Sequence, residues 1–281
     1  MELAACKIGL LGAGNMAAAI VRGLIAAERV PARNLRLVDV RPEPVAALAK
    51  ELGVGAAADG YELAAWADVL ILAIKPQVFD VALPPLAKVL GEKTLVVSIA
   101  AGVSTAAIES LLPKGTRVAR VMPNTPAMVR ASASGIAGGR HATGDDLTLT
   151  EQLFAPLGVV ARVDERLMDA VTALSGSGPA YVLTVIEALS DGGVNAGLPR
   201  DVATSLAVQT VLGTAQLVQQ SKEHPAKLRE AVTSPGGTTI AGLKALEQHA
   251  VRHAFIEAVA AAAARSVELG KALQARLQER R

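Results

Sequence analysis

Cys6-Lys-Ile-Gly-Leu-Leu-Gly-Ala-Gly-Asn-Met-Ala-Ala-Ala-Ile-Val-Arg-Gly-Leu24 runs a short apolar strand straight into a helix, with no residues to spare for an ordinary loop. The junction carries Gly12-x-Gly14-x-x-Ala17. Gly12 permits the tight turn, Gly14 lets a ligand reach the backbone, and the small Ala17 lets the helix pack close to its strand. Helix N-terminal N–H groups and the helix dipole then face the turn, which is the arrangement that holds a pyrophosphate. The next strand pattern, Leu35-Arg-Leu-Val-Asp39, ends in a carboxylate where a ribose hydroxyl would be held. Together these features point to a dinucleotide site.

Outward from this unit the chain alternates strand and helix to about residue 163. Strand patterns fall at Lys7–Leu11, Leu35–Val38, Val69–Ile74, Thr94–Ile99, Arg117–Met122, Ser134–Gly138 and Val159–Val163. Such alternation predicts a doubly wound, mostly parallel sheet of the Rossmann type, with ligands outside the carboxyl ends of the strands. Three of those ends, Ala73-Ile-Lys75-Pro76, Ser98-Ile-Ala-Ala-Gly102 and Arg120-Val-Met-Pro-Asn124-Thr125-Pro126, carry polar, Gly or Pro residues that packing does not require. After about Asp164 only helical periods follow: Leu167–Ala173, Pro179–Ala196, Pro199–Gln220, Pro225–Ala231, Thr239–Gln248 and Val251–Leu277. The expected division is therefore residues 1–163, an α/β Rossmann dinucleotide-binding domain, and residues 164–281, an all-helical domain. In the latter, Tyr181–Leu189 and Leu206–Val218 are apolar on nearly every face, more than one small helical domain can cover, so a dimer is expected.

Within the helical half, Ser234-Pro-Gly-Gly-Thr-Thr239 separates two helical patterns. Pro235 breaks the first, Gly236 and Gly237 can take positive φ, and Thr238 or Thr239 can cap a helix beginning near Ile240. Converging N–H groups there would take a small carboxylate, leaving the hydroxyls of Ser234, Thr238 and Thr239 for the rest of the ligand.

Composition narrows the classes. The 281 residues suggest two domains, and 28 Lys plus Arg against 26 Asp plus Glu is nearly balanced, which argues against nucleic acid or an anionic membrane surface as partner. Aromatic residues make up 2% of the chain, too few for base-stacking or sugar-binding platforms. No metal site is expected from His141, His224, His249 and His253, because no acidic partner completes a zinc pattern around the His249/His253 pair. One cysteine, Cys6, excludes an intramolecular disulfide, and neither a signal-peptide pattern nor an apolar run of spanning length is present. A cytoplasmic protein is the expectation.

Seven stretches are decisive together: Ile8-Gly-Leu-Leu-Gly-Ala-Gly-Asn-Met16, Ala73-Ile-Lys-Pro76, Val97-Ser-Ile-Ala-Ala-Gly-Val103, Met122-Pro-Asn-Thr-Pro-Ala127, Ser175-Gly-Ser-Gly-Pro-Ala-Tyr181, His224-Pro225 and Ser234-Pro-Gly-Gly-Thr-Thr239. With them the chain resembles the pyrroline-5-carboxylate reductases over essentially its whole length. Glycine fingerprints are common to many oxidoreductases, so the specific carriers are the stretches beginning at Ser175 and Ser234. The resemblance implies a Rossmann domain, a helical domain that interlocks with a second subunit, and NAD(P)H-dependent reduction of 1-pyrroline-5-carboxylate to L-proline, the last step of proline biosynthesis. It further implies a cofactor set of Gly12, Gly14, Asn15, Met16, Asp39, Arg41, Ala73, Lys75, Pro76, Ala100 and Asn124. The substrate set is Ser234, Gly236, Gly237, Thr238 and Thr239, with the Thr239 hydroxyl facing the imine nitrogen as donor or relay; a water is the alternative donor. Asp39 would repel the 2′-phosphate of NADPH and Arg41 would pair with it, so both NADPH and NADH stay open, with NADPH slightly favoured by the resemblance. A β-hydroxyacid dehydrogenase or related imine reductase is a rival, as is a non-catalytic dinucleotide-binding protein. The first is disfavoured because such dehydrogenases use a lysine early in the second domain. No lysine lies between Lys114 and Lys222, and no histidine between His141 and His224.

Overall fold

The computed structural model describes residues 2–279, with the side chains of residues 278 and 279 left aside. The chain forms two compact units, one running to Ser177 and resumed from Ala261, the other Gly178–Ala260. The boundary expected at 163/164 thus lies inside the first unit. The reason is packing: Met168 and Ala173 are fully buried, and Val171 lies so close to Gly135 that a Cβ there would be 2.6 Å away.

The first unit is built on one sheet of β1 (Ile8–Leu11), β2 (Leu35–Val38), β3 (Gly55–Ala56), β4 (Val69–Leu72), β5 (Leu95–Ser98), β6 (Arg117–Met122), β7 (Ser132–Gly138) and β8 (Gly158–Arg162). Their order is β3-β2-β1-β4-β5-β6-β7-β8, and every pairing is parallel except β6 with β7. The strand order reverses between β1 and β4, where a ligand cleft is expected. Alternate residues feed two cores. Leu10, Ile71, Val97 and Val121 join the layer under α1 (Asn15–Ala26) and α6 (Gly144–Phe154). Leu70, Leu72, Val96 and Val118 join the layer under α3 (Gly60–Trp66), α4 (Phe79–Leu86) and α5 (Thr105–Glu109). Strands buried on both faces explain why the sequence shows apolar runs in place of alternation. The helix α2 (Pro42–Leu52) ends at Gly53 in the left-handed region, and the two-residue β3 after it is too short to leave a periodic signal.

Beyond the sheet, α7 (Met168–Val171) widens into a π-helical turn at Thr172–Gly176. The second unit holds α8 (Gly178–Asn195), α9 (Arg200–Ser221), α10 (Pro225–Ala231) and α11 (Thr238–Gln248), followed by the start of α12 (Val251–Glu279), whose later part belongs to the first unit. Within α8 to α11 only Ser190, Ala203 and Ala207 are buried, while Leu183, Leu206, Leu212 and Leu217 are each about half exposed or more. A helical unit with so little core of its own requires a partner surface, as the all-round apolar patterns anticipate. No helix of the described residues is long and apolar enough to cross a membrane.

Candidate active site

The glycine turn is held by backbone chemistry. Gly12 has φ 106°, and a Cβ on it would lie 2.5 Å from the Ala73 carbonyl oxygen, so no side chain is tolerated there. Its N–H donates to the Val38 carbonyl at 2.7 Å, and the Ala73 N–H donates to Leu11 at 2.8 Å, which stitches the turn to β2 and β4. Gly14 differs: its φ of −72° is open to any residue, and a Cβ would meet nothing within 4 Å. Space in front of Gly14 is therefore free for a ligand. Gly14 is the N-cap of α1 with no side-chain cap, and no acidic residue occupies the first turn, so the N–H groups beginning at Asn15 and Met16 have the positive end of a 12-residue helix to themselves. A pyrophosphate fits this chemistry.

Asp39 is drawn into the same turn. Its Oδ2 accepts from the Ala13 N–H at 2.8 Å and its Oδ1 from the Arg41 N–H at 3.0 Å, with the Arg41 Nε 3.8 Å away. Partial burial opposes ionisation, but these two N–H groups and the Arg41 guanidinium outweigh it and hold the carboxyl below the usual carboxylate range. The Arg41 side chain is 68% exposed and free to swing. Lys75 is exposed just before Pro76, which opens a short 3-10 turn, and Ala100 is buried with its N–H on the Ser98 hydroxyl at 3.3 Å. Asn124 has a different duty. Its Nδ2 donates to the Ser175 carbonyl at 3.0 Å and its Oδ1 accepts from the Ala133 N–H at 3.1 Å, pinning the loop after β6 to β7 and to the π-helical turn. These two bonds fix the amide in place and leave its second Nδ2 hydrogen and second Oδ1 lone pair for a further partner.

In the second unit the loop before α11 departs from the expected capping. Thr238 is the first residue of the helix and Gly237 the N-cap, so neither Thr238 nor Thr239 caps it. Only Gly236 has positive φ, at 67°; Gly237 is extended, at −78°. A Cβ on Gly237 would lie 2.3 Å from the Ser234 Oγ, an exposed hydroxyl that a change of rotamer moves aside, and 3.3 Å from the Ser234 carbonyl oxygen. The Gly237 N–H closes the turn on the Ser234 carbonyl at 3.1 Å. The consequence strengthens the site: with no side-chain cap and no acid in its first turn, the helix leaves its leading N–H groups open. The hydroxyls of Ser234, Thr238 and Thr239 make no hydrogen bond among the described residues, and Ser234 and Thr238 are exposed while Thr239 is half-buried. Three free hydroxyls at an open helix start can hold a carboxylate and one further polar atom. Nearby, His224 caps α10 by accepting the Ala226 N–H on Nδ1 at 3.2 Å, with Pro225 as the first helical residue. His224-Pro225 is therefore a helix start.

Residues 165–269 match the family described as "Pyrroline-5-carboxylate reductase dimerisation", and residues 7–102 match "NADP oxidoreductase coenzyme F420-dependent". The chain is 46% identical over 265 residues to the pyrroline-5-carboxylate reductase of Methanosarcina acetivorans, covering 94% of this chain and 98% of that one. The chain belongs to the pyrroline-5-carboxylate reductase family. The Synechocystis reductase is 47% identical over the same shares of the two chains. Among solved structures, a pyrroline-5-carboxylate reductase from Coxiella burnetii superimposes with a TM-score of 0.89 at 38% identity, covering 94% of this chain and 98% of that chain. The Plasmodium falciparum pyrroline carboxylate reductase with NADP bound gives 0.86 at 29% identity, over 95% and 99%. Both halves of the chain thus carry the likeness, and the sheet and helices match the Rossmann and dimerisation parts of this family. A cavity of about 900 Å³ in the first unit is lined by Glu109, Lys114, Arg140 and His141, between α5, the start of β6 and the end of β7, and includes none of the residues assigned to cofactor or substrate.

Proposed function

We propose that this protein reduces 1-pyrroline-5-carboxylate to L-proline with a nicotinamide dinucleotide, as a homo-oligomer of at least two chains. The observation that carries the reading is the identity of 46–47% to reductases of that name across 94% of the chain. The cofactor supplies the hydride. The chain's own task is to bind, orient and supply or relay a proton, and cyclic imine reduction asks for no strong nucleophile. One hydride reaches the imine carbon, one proton reaches the ring nitrogen, and the C=N bond becomes a C–N single bond.

The roles follow from the glycine turn of the first unit and the loop before α11 of the second, each taken by itself. Gly12 shapes the turn, Gly14 clears the way for the pyrophosphate, and the leading N–H groups of α1 receive it. The leading N–H groups of α11, with Ser234 and Thr238, take the substrate carboxylate, and the Thr239 hydroxyl serves the nitrogen as donor or relay. An ordinary hydroxyl is a weak acid, so Thr239 passes on a proton from water more readily than it supplies its own. NADPH is the favoured cofactor, because Asp39 is already engaged by two backbone N–H groups while Arg41 stands exposed beside it. A cytoplasmic setting belongs to the same reading and is supported by the single, buried thiol of Cys6. Following NADPH and NADH oxidation by absorbance, with and without pyrroline-5-carboxylate, tests the proposal. Substrate-dependent oxidation with proline as product is expected; tight cofactor binding without turnover would leave a dinucleotide-binding protein instead.

A further inference from the structure

The later part of α12 is laid on the loops that follow β4 and β5. From Ala261 onward it belongs to the first unit, and Ser266, Gly270, Leu273 and Leu277, at helical spacing, give it one docked face. The Ser266 hydroxyl donates to the Asp169 carboxylate at 2.6 Å, and a Cβ on Gly270 would lie 3.0 Å from the Gly102 carbonyl oxygen in the loop after β5. Leu277 joins the apolar layer of Leu72, Phe79 and Leu83, and Leu273 packs against it. Arg276 adds a polar contact beside these. Its Nη2 donates to the Gln77 carbonyl at 2.8 Å and to the Asp80 carboxylate at 3.3 Å.

Those two acceptors bracket the start of α4. Gln77 lies in the 3-10 turn Pro76–Val78 that leaves β4, and Asp80 lies in the first turn of α4 with its side chain 4% exposed. Inside the turn the Lys75 carbonyl accepts from the Val78 N–H at 3.1 Å and the Pro76 carbonyl from the Phe79 N–H, while the Gln77 carbonyl is held from outside by Arg276. The other end of the same segment is fixed to the glycine turn. The Ala73 N–H donates to the Leu11 carbonyl, and a Cβ on Gly12 would lie 2.5 Å from the Ala73 carbonyl oxygen and 3.3 Å from the Ile74 Cγ2. Lys75 and Pro76 thus sit between two anchors, the glycine turn and Arg276. The Arg276 side chain is 36% exposed, so its ion pair adds little to docking that Leu277 already secures by burial, and its effect is local. We propose that Arg276 is a positioning residue for the cofactor: it fixes the Lys75–Val78 turn against the glycine turn, so that Lys75 and Pro76 are ordered before the dinucleotide arrives. The role rests on the dinucleotide reading of the glycine turn and on nothing in the substrate loop.

Two variants of the full chain test it. Arg276→Met keeps the aliphatic stem and removes the donors, whereas Arg276→Lys restores a point charge without the guanidinium fork. Fluorescence titration should find the Kd for NADPH raised roughly three- to ten-fold in Arg276→Met, as expected when a group must be ordered on binding, and partly recovered in Arg276→Lys. At saturating NADPH, kcat and the KM for pyrroline-5-carboxylate should stay within about two-fold of wild type, and Tm should hardly move. Without cofactor, amide hydrogen exchange in Arg276→Met should quicken at residues 75–80 and not across the sheet. A Kd within about two-fold of wild type, or faster exchange throughout the unit with a lower Tm, would overturn the proposal and leave Arg276 a structural pin. Failure of the wild type to bind NADPH or NADH would overturn the dinucleotide reading itself, and this role with it.

Discussion

Gly12 and Gly14 stand two residues apart in one turn, yet the structure gives them opposite reasons to be glycine, and this can be tested by exchanging each. At Gly12 an alanine Cβ would sit 2.5 Å from the Ala73 carbonyl oxygen on a backbone with φ 106°. The unusual φ alone costs about 1–3 kcal/mol, and the overlap adds to it, so Gly12→Ala should destabilise the whole unit. At Gly14 a Cβ meets nothing within 4 Å and φ is ordinary, so Gly14→Val should cost about 1 kcal/mol at most, as a poorer N-cap. The valine side chain would nevertheless occupy the space the pyrophosphate needs. Displacing even one charge-assisted hydrogen bond costs about 1.5–3 kcal/mol, which is roughly a ten- to hundred-fold weaker Kd. Fluorescence titration with NADPH and NADH, alongside thermal unfolding of each variant, separates the two effects. If Gly14→Val bound both cofactors as tightly as wild type, the turn would not be the pyrophosphate site, whatever its shape.

The remaining expectations concern single groups and the assembly. Thr239→Ala should lower kcat/KM for pyrroline-5-carboxylate by roughly ten- to hundred-fold with little change in cofactor affinity, and Thr239→Ser should recover part of it; an unchanged value in steady-state kinetics would move the role to Ser234 or a water. Asp39→Ser should raise the ratio of kcat/KM for NADPH over NADH while weakening both cofactors, since the Ala13 N–H loses its carboxylate partner; a constant ratio counts against Asp39 and Arg41 as the selecting pair. The folded pKa of Asp39 lies below its unfolded value, so its contribution to stability is present above the ordinary carboxylate pKa of about 4 and is lost as pH falls through the lower folded value. Acid unfolding monitored by circular dichroism should accordingly show a shallower loss of stability in Asp39→Asn over that range, and identical profiles would refute the linkage. Light scattering coupled to gel filtration should find no active monomer, because Leu183, Leu206, Leu212 and Leu217, each about half exposed or more, stand to gain about 1–2 kcal/mol apiece on burial of what remains exposed.

Periodicity revealed what periodicity can reveal. Seven of the eight strands are long enough to leave an apolar run, and the pattern located them to within two residues at either end; β3, at two residues, leaves none. Helices of the second half were legible for the same reason, and so was their excess of apolar surface. The loop before α11 was legible in composition and misread in detail. Threonine favours the N-cap position, but here Gly237 takes it, in extended backbone directly after the left-handed Gly236. A local propensity gave way to the turn that the Gly237 N–H closes on the Ser234 carbonyl, three residues back, which no one-residue preference encodes.

Asn124 and Arg120 mark the deeper limit. Both sit on or just after β6, beside the Pro and Thr residues that identify a strand end as functional, and from spacing alone either is a candidate for ligand contact. Partners remote in sequence decide. Asn124 finds Ser175 and Ala133, which fix its amide and make it a pin for the turn. Arg120 finds Glu165 and Asp169, which pair with it at 3.8 and 3.9 Å and balance its buried charge. A charged residue interrupting an apolar strand was the available signal, and Glu165 and Asp169 four residues apart were its natural counterions. The sequence could not show that the same two carboxylates would also hold the Thr105 and Ser266 hydroxyls, brought up from about sixty and about a hundred residues away. Whether a polar side chain builds the fold or meets a ligand is therefore settled by what its neighbours have left unused.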